Sequence, residues 1–157
     1  MKAFSKLKQT QTDVVAVLCG PGVAETNEKL VSHCRELELT LREDIYLLGL
    51  RHDVPRLLAG CDLFVLHSAG EAFPNALLQA MACGCLCVST DVGDARRILG
   101  NGRYISPPGD AEKLSLKMDQ LLTETLEQSE ALRAENRRKV QKEFDIQNII
   151  CNYEERF

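Results

Sequence analysis

The residues that could do chemistry crowd into one short stretch, Gly70-Glu71-Ala72-Phe73-Pro74-Asn75-Ala76-Leu77, with Gln79 just beyond it. Pro74 suits the first position of a helix, because the N–H it lacks would have no partner there. The amides of Asn75, Ala76 and Leu77 then fall in the first turn, without carbonyl acceptors inside the helix. Such N–H groups, with the positive end of the helix dipole, form an anion site suited to a phosphate. Gly70 leaves room for a ligand to approach the backbone, and Glu71 can accept hydrogen bonds from hydroxyls beside the anion. Gln79, in the second turn, reaches toward a more distant part of the same ligand. The pattern fits a molecule with a phosphate centre and hydroxyls on both sides. In the competing reading Glu71 is a solvent-facing loop residue, since Gly and Pro stand between strand and helix in many α/β proteins.

Other reactive side chains carry weaker signals. The cysteines are Cys19, Cys34, Cys61, Cys83, Cys85, Cys87 and Cys151, an odd set that does not suit a disulfide framework. Cys83, Cys85 and Cys87 have C-x-C-x-C spacing rather than the paired C-x₂-C of zinc sites, and no histidine lies near them in sequence. Buried thiols are the preferred reading over a metal or redox centre, and no metal is expected. His33 reads as a surface residue. His67 follows a strand and precedes the reactive loop, so it is either a packing residue or a pocket liner. Arg96 and Arg97 read as partners of Asp91 and Asp94 in surface ion pairs. The basic tract Arg133, Arg137, Arg138, Lys139 and Lys142 is interrupted by Glu130, Glu135 and Glu143 and reads as a solvated helix face, with attachment to an anionic membrane surface as the alternative.

The elements that must position the loop follow from the hydrophobic pattern. Apolar runs at Val14–Leu18, Ile45–Leu48, Leu63–Leu66 and Leu86–Ser89 read as strands, with a small strand around Arg103–Ile105. Between them helices are expected at Thr26–Glu36, from Asp53-Val54-Pro55 to Gly60, from Pro74 to Ala82 and around Asp94–Leu99. From Asp110 onward the chain reads as helical: Ala111 to about Thr123, Glu127 to about Lys142, and Ile146 to about Arg156. Short strands that are apolar throughout are buried on both faces, which implies an α/β fold with a parallel sheet and helices on each side. Ligands of such sheets bind in the loops at the carboxyl ends of the strands. That rule selects Gly20-Pro21-Gly22, Gly49-Leu50-Arg51 and Ser68–Asn75.

Composition narrows the function classes. The 157 residues are 45% hydrophobic and 27% charged, the balance of a globular protein with room for one domain. A net charge of −4 and only 5% aromatic residues, with no Trp, disfavour a nucleic-acid partner. No apolar run reaches the roughly 18–20 residues of a membrane span, and the N-terminal Met1–Lys6 lacks the apolar block of a secretory signal. The expected location is cytoplasmic, with peripheral contact at the inner face of the membrane left open.

Several linked motifs resemble those of one family. Gly49 follows a strand; Leu58-Ala59-Gly60-Cys61-Asp62 closes a short helix; a strand, Ser68 and Glu71-Ala72-Phe73-Pro74-Asn75 come next. Ala80-Met81-Ala82-Cys83-Gly84, Thr90-Asp91-Val92-Gly93 and Pro108-Gly109-Asp110 continue the series in register. From Ile45 to Asp110 the sequence resembles the C-terminal, donor-binding domain of GT-B fold retaining glycosyltransferases, of the bacterial family-four or group 1 type. Ala3–Leu7 is similar to the end of the family's first helix, and Lys142-Glu143-Phe144 and Tyr153 to its closing helices. The resemblance implies a Rossmann-like three-layer fold, residues 1–110 forming the sheet part and 111–157 the C-terminal helices of a single nucleotide-sugar-binding domain. It implies a UDP- or GDP-sugar donor, a glycan or lipid-linked acceptor, and retaining chemistry that needs no metal. Glu71 takes the position of the family's catalytic carboxylate at the donor sugar, and Gln79 that of a second glutamate on the ribose. Leu50 and Arg51 become candidate contacts to the base.

Against the family pattern, Gln79 replaces a carboxylate and Ala72 a glycine. A first strand with its basic pair, and an acceptor-binding N-terminal domain, have no counterpart in the 157 residues. In a 3-2-1-4-5-6 sheet the missing strand would be central, leaving Val14–Leu18 and Leu63–Leu66 each short of a partner. The expectation is an N-terminally truncated transferase domain that is incomplete for catalysis by itself. The alternative is a non-catalytic nucleotide- or nucleotide-sugar-binding module or subunit.

Overall fold

The computed structural model describes residues 1–100 and 102–154, without the side chains of Ile149, Cys151, Asn152 and Tyr153. The end of the last expected helix, toward Arg156, and the side chain of Tyr153 lie outside the described residues. The chain divides into two compact units, Met1–Val54 and Pro55–Phe157, and its strands fall into two parallel sheets, one in each.

The first unit runs α1 (Lys2–Leu7), β1 (Ala16–Leu18), α2 (Glu28–Glu36) and β2 (Ile45–Leu47). β1 and β2 pair in parallel with Ala16 opposite Ile45 and Leu18 opposite Leu47. Phe4, Leu7, Val31, Cys34, Leu39, Ile45 and Leu47 form its core. α2 starts two residues later than the periodicity suggests, because the Asn27 side chain accepts a hydrogen bond from the Leu30 amide at 3.3 Å and so caps the helix. Burial on both strand faces does not hold here: Val17 and Tyr46, partners across the ladder, are 44% and 37% exposed. Only the face carrying Ile45 and Leu47 is packed, so the continuous apolar run behaves as a half-buried strand.

α3 (Val54–Ala59) starts at the last residue of the first unit, and the second unit continues with β3 (Leu63–Leu66), α4 (Asn75–Ala82), β4 (Leu86–Thr90), α5 (Ala95–Leu99) and β5 (Ile105–Ser106). It closes with α6 (Ala111–Leu122), α7 (Leu126–Glu143) and α8 (Ile146–Glu154). Its sheet has the order β3-β4-β5, all parallel. Here burial on both faces holds for the central strand: every residue of β4 is buried, with α4, α6 and α7 packed against it, whereas Leu63, Phe64 and Val65 of the edge strand β3 are only half-buried. Leu77, Ala80 and Met81 put the inner face of α4 fully into this core. Burying a Leu or Met side chain completely contributes about 1.5–3 kcal/mol, which fixes the helix that carries the reactive loop. Caps define the later helices: the Asp110 carboxylate accepts from the Lys113 amide, and Thr125 with Gln128 forms a reciprocal capping box.

The basic tract on α7 is not simply a solvated face. Arg133 donates to the carbonyls of Gly84 at 2.9 Å and Asp62 at 3.0 Å, and Arg137 to Cys83 at 3.3 Å. Buried Asn136 donates to the Cys85 carbonyl at 3.1 Å. Cys83, Gly84 and Cys85 follow α4 directly and Asp62 directly precedes β3, so these donors satisfy carbonyls of the two connections that lead into β3 and β4. Charge at the end of α4 also opposes the negative pole of its dipole. Among the described residues no helix is long and apolar enough to cross a membrane.

Candidate functional site

β3 delivers the chain to Ser68, and α4 takes it up at Asn75, so Gly70 to Leu77 and Gln79 lie together in one strand-loop-helix. Pro74 is the N-cap rather than the first helical residue, with φ −79° and ψ 84°, and is buried. A residue preceding the helix by one position suits a proline equally well, because neither place needs its N–H. The shift changes which amides are available. The Asn75 amide donates to the Phe73 carbonyl at 3.0 Å and the Leu77 amide to the Pro74 carbonyl at 3.0 Å. The Ala76 amide is left with no backbone acceptor preceding the helix. One N–H and the helix pole, instead of three open amides, make up the anion-attracting end.

Glu71 is exposed, and Ser68 Oγ donates to its Oε1 at 2.8 Å. Its Oε2 has no protein partner among the described residues. Ser68 is held in turn, its carbonyl accepting from Thr90 Oγ1 at 2.7 Å. On the other side the Asp94 amide donates to the Ala72 carbonyl at 3.2 Å. Gly70 is open, with nothing near the place a Cβ would occupy. Phe73, 38% exposed, has its ring centroid 6.1 Å from that of Phe144, over which the Arg97 guanidinium lies at 5.8 Å. Gln79 is exposed on the second turn of α4. Sequence reasoning quoted Ser68 and Gly93 within motifs but gave them no task; a hydroxyl three residues before the carboxylate was the available signal.

Leu50 and Arg51 belong to the first unit. Leu50 is 63% exposed, and Arg51 is engaged by Asp53 through two hydrogen bonds of 2.8 and 2.7 Å. With His52 and Asp53 they line an open depression of about 380 Å³. Asp53 holds the guanidinium in one orientation, and the Arg51 hydrogen bonds in turn keep the Asp53 carboxyl below the usual carboxylate range.

The remaining candidates resolve simply. Arg96 pairs with Asp91 at 2.6 Å and Arg97 with Asp94 at 3.4 Å. His33 contacts Glu36 at 3.2 Å, and His67 is exposed rather than packed. Cys85 and Cys87 are buried; the Cys85 thiol donates to the Leu58 carbonyl at 2.9 Å, and burial pushes it up to about 11. Burial also raises Cys87 well above the ordinary thiol value. Among the described residues no group of three or more His, Cys, Asp or Glu side chains stands together as a metal site.

Known proteins share the sequence pattern and the fold of this chain. The family model of glycosyl transferases group 1 matches residues 1–139. N-acetyl-alpha-D-glucosaminyl L-malate synthase of Bacillus anthracis is 32% identical over 98% of this chain, which spans only 39% of that relative's length. The Anabaena protein HepE, solved in complex with UDP-glucose, superposes with a TM-score of 0.84 at 24% identity, covering 99% of this chain and 43% of that one. The C-terminal domain of a glycosyl transferase group 1 protein from Francisella tularensis gives a TM-score of 0.76 at 20% identity, covering 92% of this chain and 77% of that one. Both likenesses concern the fold, a parallel α/β architecture of the GT-B C-terminal kind. By sequence and by fold, the chain belongs to the glycosyl transferases group 1 family.

Proposed function

We propose that this chain is the donor-binding part of a retaining, metal-independent glycosyltransferase that moves a hexose-type sugar from a nucleotide diphosphate to a glycan or lipid-linked acceptor. The observation that carries the reading is the pairing of Glu71, held by Ser68 at one oxygen with the other unpartnered, with the unpaired Ala76 amide at the head of α4. Glu71 Oε2 accepts from a sugar hydroxyl, while the Ala76 N–H and the helix pole attract the diphosphate. As the glycosidic bond breaks, its electron pair leaves with the diphosphate, and this end of the helix favours the growing negative charge. Gly70, Ala72, Phe73, Pro74, Asn75 and Leu77 shape the loop around that centre. Gln79 accepts from ribose. HepE, crystallised with UDP-glucose, makes uridine nucleotides the first donors to try. A full-length protein would supply the acceptor site, working in the cytoplasm and at the inner membrane face.

Gln79 favours a second reading, a nucleotide-sugar-binding module without catalysis. An amide oxygen meets the ribose diol without the charge assistance of a carboxylate, a difference of about 1–2 kcal/mol in affinity. The decisive experiment for the site is Glu71→Ala, titrated calorimetrically with UDP-glucose and with UDP. Affinity for UDP-glucose should fall about tenfold, the weight of one hydrogen bond to a charged group, with UDP unchanged. Equal loss for both ligands would contradict the role given to Glu71.

A further inference from the structure

We infer that Ser68 and Gly93 are positioning residues that together set Glu71, one through its side chain and the other through its backbone. The inference rests on the donor-site reading above and assigns a task to two residues outside it. An exposed glutamate on a loop samples several rotamers, and holding it in one costs conformational entropy at the moment a ligand binds. Here that ordering is done beforehand. Ser68 Oγ donates to Glu71 Oε1 at 2.8 Å, and Thr90 Oγ1 donates to the Ser68 carbonyl at 2.7 Å. Thr90 is only 2% exposed and is the last residue of β4, so the chain of bonds starts from the rigid end of the sheet.

The backbone is held from the turn that follows β4. Gly93 has φ +46°, in the left-handed region, and lies so close to the loop that a Cβ would overlap the carbonyl oxygens of Glu71 and Ala72. The next amide, Asp94 N–H, donates to the Ala72 carbonyl at 3.2 Å. Only a residue without a side chain permits this approach and this conformation at once. Ser68 thus governs the carboxylate alone, whereas Gly93 governs the main chain that leads through Phe73 to the head of α4.

The two roles leave different fingerprints. With the whole 157-residue chain, UDP-glucose and UDP are titrated calorimetrically against Ser68→Ala, Ser68→Thr and Gly93→Ala. Ser68→Ala should weaken UDP-glucose roughly three- to tenfold, the cost of one side chain no longer held in place, and leave UDP unchanged. Ser68→Thr retains the hydroxyl and should restore the preference for the sugar nucleotide. Gly93→Ala should weaken both ligands, because it displaces the carbonyls of Glu71 and Ala72 together; circular dichroism confirms that each variant is folded. An unchanged ratio of UDP-glucose to UDP affinity in Ser68→Ala, where Glu71→Ala does lower it, would overturn the role of Ser68. Equal loss of both ligands in Ser68→Ala would assign it a merely structural part and overturn it too. Wild-type-like binding of both ligands by Gly93→Ala would overturn the role of Gly93. If the unaltered chain binds neither ligand, the donor-site reading fails and takes this inference with it.

Discussion

Replacing Arg133 by methionine removes two hydrogen bonds, one from α7 to the α4–β4 connection and one to the residue before β3, while keeping most of the side-chain volume. Nη1 reaches the Gly84 carbonyl at 2.9 Å and Nη2 the Asp62 carbonyl at 3.0 Å. Hydrogen bonds to a charged group contribute about 1.5–3 kcal/mol each when sheltered from water. The Arg133 side chain is 31% exposed, so water competes, and the pair together is worth about 2–3 kcal/mol. For a chain of this length each kcal/mol moves the unfolding midpoint about 2–4 °C, so the expected fall is about 4–12 °C. Arg138→Met is the matched control. Arg138 is exposed and donates only within its own helix, to the Ala134 carbonyl at 3.3 Å, so its loss should stay within about 0.5 kcal/mol. The nearby Asp62 carboxylate stands 3.9 Å from Arg133 and is 91% exposed, so it adds little. The deficit of Arg133→Met should therefore persist in about 1 M sodium chloride, where screening acts within about 3 Å. Thermal unfolding by circular dichroism reads all of this. A deficit no larger than that of Arg138→Met, or one that vanishes in salt, would refute the assignment and return Arg133 to a surface charge.

Two further predictions concern titrating groups. With its thiol pushed up to about 11 and its side chain buried, Cys85 should resist iodoacetamide at about pH 8, where roughly one in a thousand such thiols is ionised, while exposed Cys19 is labelled. Peptide mapping by mass spectrometry checks this, and equal labelling of both before denaturation would contradict the burial. Asp44 meets Lys8 at 2.8 Å and accepts from the Thr40 amide at 2.8 Å, and the Lys8 contact foremost holds its carboxyl below the usual range. A depressed carboxyl stabilises the fold above its unfolded-state value near pH 4 and loses that contribution as pH falls through the folded-state value. The stability gap between wild type and Asp44→Asn should thus shrink as pH is lowered from about 7 to about 2; a constant gap in denaturant melts would contradict the coupling.

What was legible in the sequence and what was not divides along physical lines. Apolar runs and caps gave Leu63–Leu66 as written, and Asp110 marked the start of α6, because both signals are local. Helix starts shifted where a side chain overrode periodicity, as Asn27 does at α2 and Thr125 at α7. The exposure of Val17 and Tyr46 could not be read from an apolar run, since it depends on what covers the ladder. Arg133 was misjudged for a related reason: its acceptors lie 49 and 71 residues away, and composition does not reveal them. At the site the loop and its carboxylate stood out by residue type and spacing. The bond from Ser68 and the close approach of Gly93 depend on how β3 and β4 end side by side, which only the fold supplies.

The central claim, a donor site in this chain, is tested most directly by thermal unfolding with UDP-, GDP-, ADP- and CMP-sugars, each with and without a chelator. A ligand at 100 times its dissociation constant adds about 2.7 kcal/mol of stability. For a chain of this length that raises the midpoint by about 5–11 °C. The account predicts such a rise with one nucleotide class, UDP-sugars first, unchanged by the chelator. No rise with any of the four would contradict a formed donor site in these 157 residues.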